Sequence, residues 1–222
     1  LREAQNAMLK PVSEFFATVP LNSALWQRVK AYSTTVEAKG LEGARRRFLE
    51  ETLANFRSSG ADLTEPSKVR LKELESTLAE RTQKYSENVL DSTNAWELVI
   101  DEEARLAGLP ELAKAAALES AKSKNLATDG DQKWRFTLQA PSFFPVLEHV
   151  DDDAIRKQVW EGTCDIGARG EHDNTALIWE ILQLRQEKSE ILGRSNFADQ
   201  VLERRMAKDG ATALGFVEDL YR

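Results

Sequence analysis

The side chains most apt for metal binding or nucleophilic catalysis are few: two histidines and one cysteine. His149 stands in Glu148-His149-Val150 and His172 in Glu171-His172-Asp173. A catalytic zinc held on a helix needs two imidazoles one turn apart, as in HExxH, so that both reach one ion. Neither histidine has another four residues away, so each reads as structural or solvent-exposed. Cys164 has no neighbouring base pattern that would activate a thiol. It reads as a small buried residue. One cysteine allows no intrachain disulfide, and the absence of an oxidative signature leads us to expect a cytoplasmic location.

Carboxylates are abundant, with Asp and Glu numbering 37. A general acid–base pair is recognised by its place in a cleft, which a linear sequence does not give. Asp151, Asp152 and Asp153 cluster where a helix should begin, and a helix N-terminus stabilises negative charge without any metal. They lack the alternating oxygen ligands, central glycine and late Glu of a calcium loop. Glycine-rich phosphate loops and a GxSxG elbow are absent. The densest positive run, Arg45-Arg46-Arg47, is flanked by Glu42, Glu50 and Glu51 in a chain of net charge -7. We read it as a solvated helix face and expect no nucleic-acid partner. The candidate list is therefore short: no catalytic, cofactor-binding or metal-ligating residue is assigned in this chain.

The elements that would position these side chains are mostly helical. With 41% hydrophobic and 30% charged residues in 222, the chain can bury a substantial core. Apolar residues at helical spacing predict a first helix from about Leu1 to Val19, with Ala4, Met8, Val12 and Phe15 as its stripe and Pro20 as its end. Asn22 should cap a second helix, with Leu25, Trp26, Val29, Tyr32 and Val36 as its buried side, ending at Gly40. A third should span Leu41 to Ser58, with Phe48, Leu49, Leu53 and Phe56 on one face and Gly60 as its stop. Thr64 and Pro66 suit the start of a long fourth helix to about Thr93, paired antiparallel with the third.

The pattern changes after Asn94. Trp96–Ile100 and Trp134–Leu138 read as strands, the latter with Trp134, Phe136 and Leu138 on one face. They should pair as an antiparallel ribbon that must pack on helices to persist. An alanine-rich helix lies between them, from Gly108-Leu109-Pro110 to about Lys124, and Asp129-Gly130-Asp131 turns the chain. Ala140–Pro145 reads as a loop or short helical turn. Further helices are expected over 153–168, from Asp173-Asn174 to Leu192, around Phe197–Met206, and after Asp209-Gly210. The expected architecture is all-α, with eight or nine helices and one small β-ribbon. It divides softly into a helical bundle with long antiparallel helices over 1–94 and a helical region with the β element over 95–222. No apolar stretch is long enough to span a bilayer. Both ends fall inside helical patterns, so the chain is expected to be a piece of a longer protein, with any targeting segment upstream of Leu1.

Several segments, in order, resemble one family. These are Phe56-Arg57-Ser58-Ser59-Gly60-Ala61-Asp62-Leu63, Tyr85-Ser86-Glu87-Asn88-Val89-Leu90-Asp91-Ser92-Thr93 and Leu106-Ala107-Gly108-Leu109-Pro110-Glu111. They are followed by Phe136–Leu147, Asp151–Arg156, Asp173-Asn174, Glu180–Lys188 and Leu192–Phe197. Together, from about Gly40 to Arg222, they resemble the N-terminal part of the oligopeptidase A and thimet oligopeptidase family of zinc metallopeptidases. The bacterial oligopeptidase A and dipeptidyl carboxypeptidase branch looks most similar. The resemblance implies one lobe of a two-lobed helical enzyme that cleaves short unfolded peptides in a deep channel. It also implies zinc and catalytic residues in a missing C-terminal lobe, and none in this chain. A monomer is expected, with short peptides and that lobe as partners. Two positions depart from the family pattern: Gln186, where His is frequent, and Phe143, where Tyr is usual. A self-contained helical scaffold without enzymatic activity is the alternative.

Overall fold

The computed structural model describes residues 2–128 and 130–222. Eleven α-helices and one two-stranded ribbon are found among them. The predicted turn residue Asp129 and the first residue of the first predicted helix, Leu1, lie outside the described residues. The chain forms two compact units. One comprises the chain through Gln83 together with Trp179–Arg222; the other is Lys84–Ile178.

In the first unit, α1 (Arg2–Leu21) runs through both Pro11 and Pro20. Its expected apolar stripe stays on the surface, with Phe15 64% and Met8 57% exposed. α2 (Ser23–Ser33) starts as predicted, the Asn22 side chain accepting a hydrogen bond from Leu25 N. The predicted second helix then divides. The hydroxyls of Thr34 and Thr35 donate to the carbonyls of Ala31 and Tyr32, and Thr35 caps a short helix α3 (Val36–Lys39) through Ala38 N. Threonine side chains compete in this way with helical backbone bonds, which the apolar period alone does not register. Of the expected buried side only Trp26 is fully enclosed, and Val36 points to solvent.

α4 (Gly43–Ser58) ends on a Schellman closure. Ala61 N bonds Phe56 O and Gly60 N bonds Arg57 O, both at 3.0 Å, with Gly60 at φ +89. Leu49, Leu53 and Phe56 are partly buried, whereas Phe48 is 74% exposed. Residue 48 lies one helical step, about 100°, from that seam. α5 (Glu65–Ala95) is the long helix, and it buries Leu71, Leu74 and Leu78 in this unit. The close neighbours of α4 are α1 and α2. The charged residues of α5 reach α9 (Thr175–Ile191) rather than the expected α4: Arg70 pairs with Glu187 at 2.7 Å, Glu75 with Lys188 at 2.6 Å, and Arg81 with Glu180 at 2.6 Å. Arg70 and Glu75 meet the late α9 residues Glu187 and Lys188, and Arg81 meets the earlier Glu180, so the pairing is antiparallel. Arg70 holds the Glu187 carboxyl below the usual carboxylate range. α10 (Phe197–Leu202) and α11 (Gly210–Tyr221) follow, capped by Asn196 and Asp209.

The second unit is organised on the ribbon. β1 (Glu97–Ile100) and β2 (Trp134–Thr137) pair antiparallel, with Leu98 opposite Phe136 and Ile100 opposite Trp134. Their inner face meets α6 (Glu111–Ser123), whose Ala117 and Ala121 are small enough to admit the strand closely. α7 (Ala140–His149) replaces the expected loop or turn, and α8 (Asp153–Cys164) follows it. Proline is tolerated in a first helical turn, where its missing N–H needs no partner, and Pro141 sits there. Pro145 lies inside the helix. Burial of Val146 in the core, with Phe143 and Leu147 packed against it, stabilises the helix in spite of Pro145. This helix and α3 raise the helix count above that expected. The core joins Ile100, Leu106, Leu109, Trp134, Phe136, Val146, Val150, Ile155 and Val159.

Candidate functional site

The residues with chemical potential are not brought together. His149 ends α7, half-exposed, with Nε2 3.6 Å from its neighbour Glu148. His172 sits in a 3-10 turn over Gly170–His172. Cys164 is exposed, not buried as expected. It is nine positions beyond Ile155 on α8, half a turn from the buried line of Ile155, Val159 and Gly162. Among the described residues, no group of three or more His, Cys, Asp or Glu could hold a metal ion. Arg46 and Arg47 are neutralised by Glu50 and Glu51 one turn on, at 2.9 and 2.8 Å. Asp152 caps α8, accepting from Ala154 N and Ile155 N, and pairs with Arg105 at 2.9 Å. Arg105 first, and the two backbone donors after it, hold its carboxyl below the ordinary value.

The segments that carry the family resemblance prove to be packing devices. In the first, Asp62 accepts hydrogen bonds from Trp26 Nε1 and Lys30 Nζ, each at 2.8 Å. Trp26 is 1% exposed and stacks on Phe56, with ring centroids 5.5 Å apart. Lys30 and Trp26 lower the pKa of Asp62. In the second unit, Ala107 O accepts from Asp151 N at 2.9 Å, and Gly108 passes so near His149 that a Cβ there would lie 2.1 Å from the His149 carbonyl oxygen. The Leu106–Glu111, Phe136–Leu147 and Asp151–Arg156 segments thus meet around one core.

The Tyr85–Thr93 and Asp173-Asn174 segments meet as well. Asn88 Nδ2 donates to Asn174 Oδ1 at 2.8 Å, Asn174 Nδ2 donates to Tyr85 O at 3.3 Å, and Ser92 Oγ accepts from Gly167 N at 3.1 Å. Both asparagines are buried. An unpartnered amide at this depth costs about 1–3 kcal/mol, so the pair fixes how the 167–174 loop seats on the end of α5. At the departing positions, Gln186 Nε2 donates to Glu190 Oε1 and to Ser195 O, and Phe143 packs on the core beside Phe144.

One concave surface was not legible in the sequence. An apolar groove of about 810 Å³ runs between α2 and α4, lined by Val29, Tyr32, Leu41, Ala44, Phe48, Leu49 and Thr52, with Arg28 and Arg45 on it. Its residues come from α2, from α4 and from Leu41 in the connector before α4, with no shared motif, so only the packing of α2 on α4 reveals it.

Residues 146–222 match the model of peptidase family M3. Oligopeptidase A of Haemophilus influenzae is 33% identical over 225 residues, covering 99% of this chain and 32% of that protein. Over residues 146–222 the chain is similar to the peptidases of family M3. Oligopeptidase A of Escherichia coli is 32% identical over the same share of the chain, and dipeptidyl carboxypeptidase of Escherichia coli is 28% identical over 210 residues, covering 94% of the chain and 30% of that protein. The chain spans about a third of the length of these relatives. Among the described residues, no helix is long and apolar enough to cross a membrane.

Proposed function

We propose that this chain is the non-catalytic, wall-forming part of a zinc-dependent oligopeptidase that hydrolyses peptide bonds in short unfolded peptides. The observation that carries the proposal is the alignment of 99% of the chain with a third of oligopeptidase A. The placement of its resemblance-bearing segments in packing roles agrees with it. Zinc does not fit the residues present: His149 and His172 stand on separate turns, and among the described residues no acidic or thiol ligand set joins either. No catalytic step is therefore assigned to this chain; the metal and its general base belong to sequence beyond these 222 residues. A rigid helical wall of this kind admits peptides by size and keeps bulk water from a reacting centre. The proposed enzyme is a cytoplasmic monomer whose partners are peptides and its own catalytic lobe, without nucleic acid or membrane.

The second reading, a self-contained helical scaffold, requires a surface without apolar flanks. Leu214, Phe216, Val217 and Leu220 on α11 are each at least 60% exposed, and Phe15 and Phe16 on α1 are similarly open. Apolar faces of this kind favour a longer protein that covers them. The deciding experiment is expression of the complete open reading frame and assay on an internally quenched peptide of about ten residues. Hydrolysis should be abolished by chelation and restored by zinc, and the 222-residue chain alone should be inert. A complete reading frame without HExxH, or a zinc-loaded full-length protein that leaves the peptide intact, would overturn the proposal.

A further inference from the structure

The groove between α2 and α4 combines an open apolar lining with two arginines that have no carboxylate partner among the described residues. The contrast with their neighbours is informative. Arg46 and Arg47 each hold a glutamate one turn later, at 2.9 and 2.8 Å. Residue i+4 from Arg45 is Leu49, and residue i+4 from Arg28 is Tyr32, so neither arginine has a carboxylate at that spacing. Both line the groove instead, beside Val29, Tyr32, Phe48 and Leu49. Phe48 is 74% exposed and Tyr32 38%. In a chain of net charge -7, two unneutralised guanidinium groups beside exposed aromatic carbon are a local inversion of the surface. Guanidinium is matched geometrically by carboxylate, often through two parallel hydrogen bonds, and the aromatic lining accepts apolar side chains.

We propose that this groove binds a peptide segment in which apolar residues adjoin acidic ones, the apolar side chains seated on Val29, Phe48 and Leu49 and the carboxylates on Arg28 and Arg45. Neither a basic nor a purely polar segment satisfies both halves of the site. The inference concerns binding and does not depend on hydrolysis by the complete protein.

The test uses the full-length protein in EDTA, so that metal-dependent turnover is silent. Two fluorescein-labelled dodecapeptides of Gly and Ser are compared by anisotropy, one carrying a central Leu-Leu-Glu-Glu and the other Leu-Leu-Lys-Lys. The acidic peptide should bind saturably and at least about tenfold more tightly than the basic one, with an affinity that falls as salt rises. The double variant Arg28→Glu/Arg45→Glu should weaken the acidic peptide at least about tenfold and tighten the basic one. That gain requires a folded groove, so it separates lost recognition from lost structure. Phe48→Ala should weaken the acidic peptide while leaving the charge preference in place. Equal binding of the two peptides, or acidic-peptide binding unchanged in the charge-reversed variant, overturns the proposal. Absence of binding in the full-length protein also overturns it, by showing that the groove is covered by the protein's own chain. A protein that binds in this pattern but never hydrolyses peptides would refute the peptidase reading and leave this one standing.

Discussion

Gly108→Ala tests whether the close approach of the Leu106–Glu111 segment to the end of α7 is a condition of the second unit's fold. Two contributions add. Gly108 has φ +86, and a non-glycine residue at positive φ costs about 1–2 kcal/mol. The new Cβ would lie 2.1 Å from the His149 carbonyl oxygen, where real contacts do not fall below 3.0 Å. The two backbones must therefore part by about 1 Å. Parting them breaks the 2.9 Å bond from Asp151 N to Ala107 O, about 0.5–1.5 kcal/mol. It also loosens Leu106 and Leu109 against Val150 in the core, a packing loss of about 1–2 kcal/mol. The total is about 2.5–5.5 kcal/mol. Gly170→Ala is the control: φ there is +62 and nothing lies within 4 Å of its Cβ, so only the conformational penalty of about 1–2 kcal/mol applies. Urea unfolding followed by circular dichroism, with Trp134 as a buried fluorescent reporter, measures both variants. Equal destabilisation by the two substitutions would refute the close-approach argument, because it would leave no steric contribution at Gly108.

Two further outcomes follow from the polar contacts. Asp152 has a folded-state pKa below its unfolded value of about 3.8, so its contribution is complete above that value and is lost as pH falls through the lower folded pKa. Asp152→Asn, which keeps a capping side chain, should flatten the stability-versus-pH curve below about pH 4 and leave its shape above pH 5 unchanged; an unaltered acid limb contradicts the assignment. Asn174→Leu strands the Asn88 amide and should destabilise by about 2–3 kcal/mol. Adding Asn88→Leu should recover part of that loss, and strict additivity in the double-mutant cycle would show that the pair is not coupled.

How much of this was legible in the sequence varied with the range of the interaction that decides each feature. Asn22 as a cap, Gly60 as a stop and the alternation of Trp134, Phe136 and Leu138 are local signals, and the structure keeps each of them. The division at Thr34 and Thr35 was missed because hydroxyl bonds to carbonyls leave no trace in an apolar period. The helix over Ala140–His149 was missed because two prolines outweigh local propensity, while burial of Val146 in a core assembled from distant segments decides the outcome. Cys164 was placed inside by residue type, and its angular position on α8 places it outside. The ladder from α5 to α9 joins residues about a hundred positions apart and so has no local signature. For function, the recognisable segments of the sequence pack against one another, and their partners lie too far along the chain for a local pattern to show. The groove escaped notice because Arg28 and Arg45 acquire meaning only when two helices lie side by side.

The division of the chain into an uninterrupted unit and an interrupted one has a consequence for the order of synthesis. Lys84–Ile178 is contiguous and can complete its core as soon as it leaves the ribosome. The first unit must wait: the α5 residues Arg70, Glu75 and Arg81 meet their partners only after residues 180 to 188 have been made. Prior folding of the intervening segment brings the two ends of that long interval into reach and lowers the entropy of closing it. Translation speed across Lys84–Ile178 therefore sets how long the α5 residues Arg70, Glu75 and Arg81 stand without their final neighbours, and synonymous changes there should alter the yield of folded protein without altering the protein itself.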